Sequence, residues 1–552
     1  MNAMAQTPTL QQKLYYTCKV WGFVKYYHSN VSTCHVNWDS VLLHTLPLVR
    51  SASTSNQFND AMDTILAAAG PMAISTSYFP DTLPTNLKRN RDWSWIATPV
   101  LRSDVQIQLD TIKNNFRPHA GCYVEIDATT ATRTLVSDSW GGYLDFPLDT
   151  TLLNINTAAN YPDNNHRQLM FFKFWNIVSY FNPNNYVLDI PWDTTLFNNV
   201  LPMDVVGDGK SLYLLYTRIE TLLDDAHVYD VSFSTNYQLP PGVYEPKILL
   251  KYLDSQYVVT RSTETGINPG DAIISINGMT TAQWEDSLKP YYSSGNPSVL
   301  RKIVCQNMLG REAYGTVERI VAQDSTGTNN TFHVECVTVI NDPFYTNWYY
   351  PADSLNSIEW TTMGCDIGYA NMANLLPADV PAMYSDLQNK SAMILDLRNY
   401  PQGNTIADIA YLMYPNQIYN AVLFLPDVTY PGTYYTNHVY DGSNGNPTPY
   451  RGQVILLINE VSQSYAEFAT MILGAMPGAI KVGSQTAGAD GDITWFKITD
   501  DLETGFSSLG RGIFHSMQLS KASVHDIHYL CEIKDSRLNN CLLLGDKGYL
   551  SS

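Results

Sequence analysis

The sequence predicts a multidomain α/β protein: a helical N-terminal region with a small β insert, a β-domain in the middle, and an α/β core at the C-terminal end. Three observations predict it. The chain has 552 residues, enough for about three or four domains. Hydrophobic residues make up 45% of it, so several cores can be buried and wholesale disorder is excluded. The apolar spacing changes twice along the chain. It runs from helical, to short β-branched runs with turns, to continuous apolar strands alternating with helices.

The formal charge is −19 and the pI about 4.9. Both argue against nucleic acid or an anionic membrane as a partner, since each needs clustered Lys and Arg. No apolar run approaches eighteen residues, so no transmembrane helix is expected. The start, MNAMAQTPTL, lacks the apolar core of a signal peptide, yet Ala3-Met4-Ala5 resembles the end of a cleavage site. With only 15% charged residues, the expectation is an exported protein, periplasmic or extracellular. The eight cysteines (18, 34, 122, 305, 336, 365, 531, 541) show no C-x-x-C and no metal-ligand spacing. Cys18 with Cys34, and Cys305 with Cys336, are candidate pairs. His525-x-x-His528-x-x-Cys531 has no partner motif to complete a metal site, so neither metal nor organic cofactor is expected. Oligomeric state is open.

The first part, 1–235, contains an internal echo. KVWGFVKYY (Lys19–Tyr27) is answered by KFWNIVSYF (Lys173–Phe181). Trp21 precedes Trp38 by the same seventeen positions that separate Trp175 from Trp192, and Leu46-Pro47 and Leu201-Pro202 follow. Two related helical hairpins are expected, flanking a middle of about 92–157 that reads as strands. The Trp and Tyr stripes read as aromatic core or as a binding surface.

From 236 to 345 the pattern is strand-like. GINPGDAIISINGM (Gly266–Met279) resembles the signature of the PDZ domain, which accepts an extended peptide on a sheet edge. The Asn277-Gly278 pair marks a hairpin turn.

In the last part, 346–552, three apolar strands are expected: in SAMILDLRNYPQG (Ser391–Gly403), GQVILLINE (Gly452–Glu460) and AIKVGSQTAG (Ala479–Gly488). Helices follow the first two, near Thr405–Tyr414 and from Ser464. Such βαβ units build a largely parallel sheet, with ligands at the carboxyl ends of its strands. Ser464 and Gly403 both lie just past strand ends. Ser464, three residues before Glu467, fits a capping box. It also fits a nucleophile at a helix N-terminus, where amides and the dipole face a developing oxyanion. The N–H groups of Tyr465 and Gly403 are the candidate donors. His227, in LLDDAHVYD beside Asp224 and Asp225, is the candidate base.

DDAHV, GDAIISINGM, ILDLRNYP and SQSYAEF…GSQTAGADG occur in one order. That order resembles the S41 serine peptidases, the tail-specific (C-terminal processing) protease family. The branch is closer to tricorn than to the Ser–Lys enzymes and is of the exported Bacteroidetes type. The resemblance implies a ClpP/crotonase-like peptidase core that hydrolyses peptide or unfolded-protein substrates. It places the nucleophile on Ser464, with Glu467 supporting it, the second oxyanion donor on Gly403 and the base on His227. The lysine of the Ser–Lys branch falls on Ala489, and Lys481 lies on the preceding strand, so that dyad is absent. A serine that orients the histidine in tricorn is Ala226 here. The family expects a further acid after FSSLG, but from about 511 the pattern is lost, which leaves Asp224 or Asp225 as the supporting carboxylate. Ser462 is the runner-up nucleophile. These departures also admit a catalytically impaired peptide-binding protein, and an esterase of small acyl substrates is a third reading.

Overall fold

The computed structural model describes residues 7–72, 84, 87–88, 90–126, 144–147, 161–228, 232–233, 237–339, 342–345, 358–364, 366–403, 405–441, 446–500, 502–507 and 510–513. The expected change of pattern after about 511, with His525, His528 and Cys531, falls almost wholly outside the described residues.

The N-terminal echo is a structural repeat of three helices. Leu10–Tyr27 (α1), Trp38–Ser51 (α2) and Ser55–Ala69 (α3) are followed by Ser103–Asn115 (α4). The first three then recur as Asn164–Phe181 (α5), Trp192–Val205 (α6) and Gly209–Glu220 (α7). The interval is constant at 154 positions, from Leu10 to Asn164, Trp38 to Trp192 and Ser55 to Gly209. Equivalent residues start the helices: Thr9 and Asp163 cap α1 and α5, and Thr54 and Asp208 cap α3 and α7, each accepting an amide of the first turn.

The tryptophans are core. Trp21 Nε1–H donates to the Trp38 carbonyl and Trp38 Nε1–H to that of Trp21 (3.1 and 2.9 Å). Trp175 and Trp192 repeat the exchange (2.9 and 3.0 Å). Each indole thus buries its ring and still satisfies its one donor.

The two repeats are joined by crossed ion pairs. Lys19 of the first meets Asp193 of the second at 2.6 Å, and Lys173 of the second meets Asp39 of the first at 2.9 Å. Asp39 is fully buried. Burial alone would raise its carboxyl, but Lys25 and Lys173 outweigh that and hold it below its ordinary range.

Two expectations are corrected here. The stretch 92–157 is not a strand region as far as it is described. Its first part forms α4, with Val105, Leu109 and Ile112 buried at helical spacing, and its only described strands are the pair Glu125–Ile126 and Leu144–Asp145. The apolar residues before Phe116 recur at three and four positions, so the helical period wins over β-branching. Among the described residues the disulfide is Cys34–Cys122, and Cys18, Cys305 and Cys336 are buried free thiols. Cys18 sits inside α1, where its side chain faces Asn176 rather than Cys34.

The middle of the chain forms an antiparallel sheet of Ile248–Leu253 (β1), Gln256–Ser262 (β2), Ala272–Ile276 (β3), Val317–Gln323 (β4) and Asn329–Glu335 (β5), ordered β5-β4-β3-β2-β1. The Asn277-Gly278 turn has φ of 51° and 85°, as a tight hairpin requires. Two helices join the strands, Thr281–Leu288 (α8) and Pro297–Asn307 (α9). The strand-like reading of this stretch missed both. α9 packs on β1, the outer strand of the described sheet.

The C-terminal part has Trp360–Met363 (β6), Ile367–Asn371 (β7), Ala392–Asp396 (β8), Ile418–Pro426 (β9), Tyr434–Asp441 (β10), Gln453–Ile458 (β11) and Ile480–Gly483 (β12). The main sheet runs β6-β7-β8-β11-β12 and is parallel from β7 onward. Helices Val380–Leu387 (α10), Thr405–Met413 (α11) and Tyr465–Gly474 (α12) accompany it. Asp396 lies opposite Leu457, so the loops after β8 and β11 leave one edge side by side. Ile493–Lys497 (β13) and Leu502–Ser507 (β14) form an antiparallel pair. Phe496, Leu502 and Phe506 of this pair are buried in the core of the helical region. No helix among the described residues is long and apolar enough to cross a membrane.

The packing of the repeats is testable at Gly22, where α1 crosses α5. A Cβ there would lie 1.7 Å from Asn176 Oδ1, and Asn176 is held by the Phe172 carbonyl at 2.8 Å. Alanine gains about 1 kcal/mol of helix propensity, but the overlap outweighs it. Gly22→Ala is expected to destabilise by about 1–3 kcal/mol, read as a lowered urea midpoint with unchanged m-value.

Candidate active site

Strand β11 ends at Ile458, and the chain reaches α12 through Ser464. The backbone of Ser464 has φ 55° and ψ −119°. The other described helix N-caps have negative φ, and side-chain caps such as Thr9, Asp163, Asp208 and Thr280 are extended. A residue that only caps has no use for this conformation, which costs on the order of 1–3 kcal/mol for a non-glycine. The capping box with Glu467 is nonetheless present.

What holds the strained turn is Glu467, a buried carboxylate. Its Oε1 accepts from Thr486 Oγ1 (2.7 Å) and the Gly488 amide (2.8 Å). Its Oε2 accepts from the Ala489 amide (2.8 Å) and the Ser464 amide (3.3 Å). The Ser464 amide also reaches the Ala489 carbonyl at 2.9 Å. Burial raises the Glu467 carboxyl above its ordinary pKa, and these bonds work against the rise. Ser462 is tied off inside: fully buried, it donates to the Leu397 carbonyl at 2.7 Å and accepts from the Asn459 amide at 3.1 Å.

The loop after β8 is fixed at its base. Asp396 accepts from Tyr369 Oη (2.8 Å) and from Arg398 Nε and Nη2 (2.9 and 2.7 Å). Its tip stands against the head of α12, with the Tyr400 and Tyr465 ring centres 6.3 Å apart. Gly403, half-buried at the end of this loop, has φ 48°, a left-handed backbone that favours glycine.

His227 is buried on the segment after α7. Its Nδ1 lies 2.8 Å from Ser507 Oγ and 3.7 Å from Asp225 Oδ1. Asp225 accepts the His227 amide on Oδ1 (3.0 Å) and the Ser507 amide on Oδ2 (2.7 Å). Asp224 turns elsewhere, accepting the Asp189 amide at 2.8 Å, so of the two carboxylates it is Asp225 that faces the imidazole. The segment is joined to the serine loop directly. Gln463, next to Ser464, donates to the carbonyl of Ala226, next to His227, at 3.1 Å. Ala226 packs with Ala487 and Ala489, so the turn that anchors Glu467 also supports the histidine. Lys481 lies within β12, opposite Leu456.

Ser507 was not expected from the sequence. Its one signal is position: it ends β14 within FSSLG, after which the resemblance expects a supporting acid.

Residues 366–508 match the model of peptidase family S41. The match spans 143 of the chain's 552 residues and supports an S41-type peptidase core in that part. Peptidases of this family are serine-type hydrolases, and the match supports that class for the core. No curated protein matches the sequence. Among solved structures, this chain is similar to mature CPAF, with 11% identity, 63% of this chain and 89% of that one covered, and a TM-score of 0.48. It is also similar to the photosystem II D1 C-terminal processing protease, with 15% identity, 64% and 89% covered, and a TM-score of 0.35.

The Glu467 network gives a pH signature. A carboxyl raised in the fold binds its proton more tightly there than in the unfolded chain. Its contribution to stability is therefore full below the unfolded value, about 4.3, and is lost as pH rises through the folded value. Glu467→Gln is expected to flatten that fall. Urea stability measured from about pH 4 to 8 checks it; the slope is the readout, since the lost acceptor shifts only the offset.

Proposed function

We propose that this chain is a serine endopeptidase of unstructured polypeptides, with Ser464 as nucleophile and His227 as general base. The observation that carries the reading is the strained Ser464 turn, locked by Glu467 and bridged through Gln463 to the residue beside His227. Strain of this kind presents a hydroxyl clear of its own helix, as a strand-to-helix nucleophile turn does.

His227 takes the Ser464 proton as the hydroxyl attacks the scissile carbonyl. The N–H groups of Tyr465 and Gly403 hold the oxyanion, each donor worth about 2.7–4 kcal/mol in the transition state. The protonated His227 then releases the amine, and water hydrolyses the acyl-enzyme. Ser507 and Asp225 are positioning residues that fix the imidazole at Nδ1 and along its backbone.

The chain divides in this reading into a helical region (1–235), a PDZ-like domain (236–345) and the peptidase core (346–552). A cleft of about 250 Å³ runs between β1 and α9 and is closed on the far side by Glu460 and Ser484 of the core. A peptide added to the β1 edge by β-augmentation would lie in it and lead toward the Ser464 loop. The Cys34–Cys122 disulfide supports an exported protein, since such bonds persist in oxidising compartments.

Intact mass after a fluorophosphonate probe tests the mechanism. One adduct is expected, absent in Ser464→Ala and formed about 10²–10⁴ times more slowly in His227→Ala. Ser507→Ala should slow labelling while leaving peptide KM unchanged. Full labelling of Ser464→Ala, or undiminished peptide hydrolysis by it, would sink the assignment.

A further inference from the structure

The two helical repeats are filled differently at one place. In the first, the Lys25 ammonium lies 3.5 Å from Asp39 and 4.8 Å from the centre of a Trp21 ring, while Lys173 supplies a second cation to the same carboxylate. The equivalents in the second repeat are Asp193, Trp175 and Lys19, with Lys19 and Asp193 paired at 2.6 Å. The equivalent of Lys25 is Ser179, which brings no charge and little volume. The space around Trp21 and Lys25 measures only about 20 Å³, whereas that around Trp175 and Ser179 is an open cleft of about 290 Å³.

The chemistry of this cleft is that of a cation site. Trp93, Trp95, Trp175 and Trp192 line it, and two carboxylates, Asp92 and Asp193, stand against one lysine, Lys19. Lys19 and the Tyr15 hydroxyl both bond Asp193 Oδ2, and the Asp193 side chain is 45% exposed. Lys19 itself stands 5.5 and 5.9 Å from the Trp95 and Trp175 rings, the place that Lys173 does not take in the first repeat. Indole faces attract an ammonium through the ring quadrupole, and the exposed side of Asp193 with Asp92 leaves charge for a second one.

We propose that this cleft binds an alkylammonium group, seated beside Asp193 and over the Trp175 indole as Lys25 is seated beside Asp39 and over Trp21. The group is a lysine side chain of a polypeptide or a small free amine. The site lies in the helical region and is independent of the Ser464 reading.

Calorimetric titration with butylamine and with Nα-acetyl-lysine methylamide, against butanol and Nα-acetyl-norleucine methylamide, tests it. Both ammonium probes should bind, with the neutral analogues at least tenfold weaker. A tighter lysine amide assigns the ligand to a polypeptide, and a tighter butylamine to a small amine. Ser179→Lys plugs the cleft from within, as Lys25 does in the first repeat. It should abolish binding with unchanged melting and unchanged fluorophosphonate labelling. Asp92→Lys, at an exposed position, should weaken binding at least tenfold should the first variant not fold. Equal binding of the neutral analogues, no binding of either amine at millimolar concentration, or wild-type binding by both variants overturns the proposal.

Discussion

The Glu467 carboxylate gathers four donors, from Thr486, Gly488, Ala489 and Ser464, and the rest of the candidate site is arranged around that convergence. A carboxylate taken out of water is strongly disfavoured unless its lone pairs are used. Here they bind the 486–489 turn to the first turn of α12, so neither segment can move without the other. The turn in turn packs Ala487 and Ala489 against Ala226. One buried side chain thereby links the serine loop to the histidine segment, 237 positions away.

The same carboxylate explains how one serine answers to two descriptions. In a capping box the glutamate reaches back to the cap amide, and Glu467 does so. But an ordinary cap keeps extended backbone, and Ser464 has been turned to positive φ. The bonds from its amide to Ala489 and Glu467, and from its carbonyl to the Glu467 and Phe468 amides (2.8 and 3.0 Å), over-determine that turn. Strain of about 1–3 kcal/mol persists only where surrounding structure enforces it.

The helical region contributes support rather than a separate body. Crossed pairs such as Lys19–Asp193 and Lys173–Asp39 mean that each repeat holds a buried lysine whose carboxylate partner belongs to the other. Neither is electrostatically complete alone, because a buried charge robbed of its partner is strongly destabilising. The second repeat then reaches the site through α7. Glu220 at its end accepts the Thr504 hydroxyl of β14, and the next residues lead to Asp225 and His227. Phe506 of β14 is buried in the helical core and Ser507 follows it. The imidazole and the hydroxyl that meets it are thus carried by two elements anchored in the same place.

Much of this was legible where chemistry is local. The tryptophan interval announced the repeat, Asn277-Gly278 its turn, the apolar runs β8, β11 and β12, and the Ser464–Glu467 spacing the head of α12. What stayed hidden depends on long-range pairing. The helix α4 was masked by β-branched residues, α9 by its setting among strands, and Cys122 was not matched to Cys34 because 88 positions separate them. Ser507 is the clearest instance. It lies 280 positions from His227, and a serine at a strand end carries no signature of its own. The hydroxyl lies nearer Nδ1 than the carboxylate does, at 2.8 against 3.7 Å, while the oxygens of Asp225 accept the His227 and Ser507 amides. That carboxylate aligns two backbones, and only their alignment brings the hydroxyl within 2.8 Å of the ring. A sequence records the residue types in such a relay, but the relay itself exists only once Asp225 has drawn the two segments together.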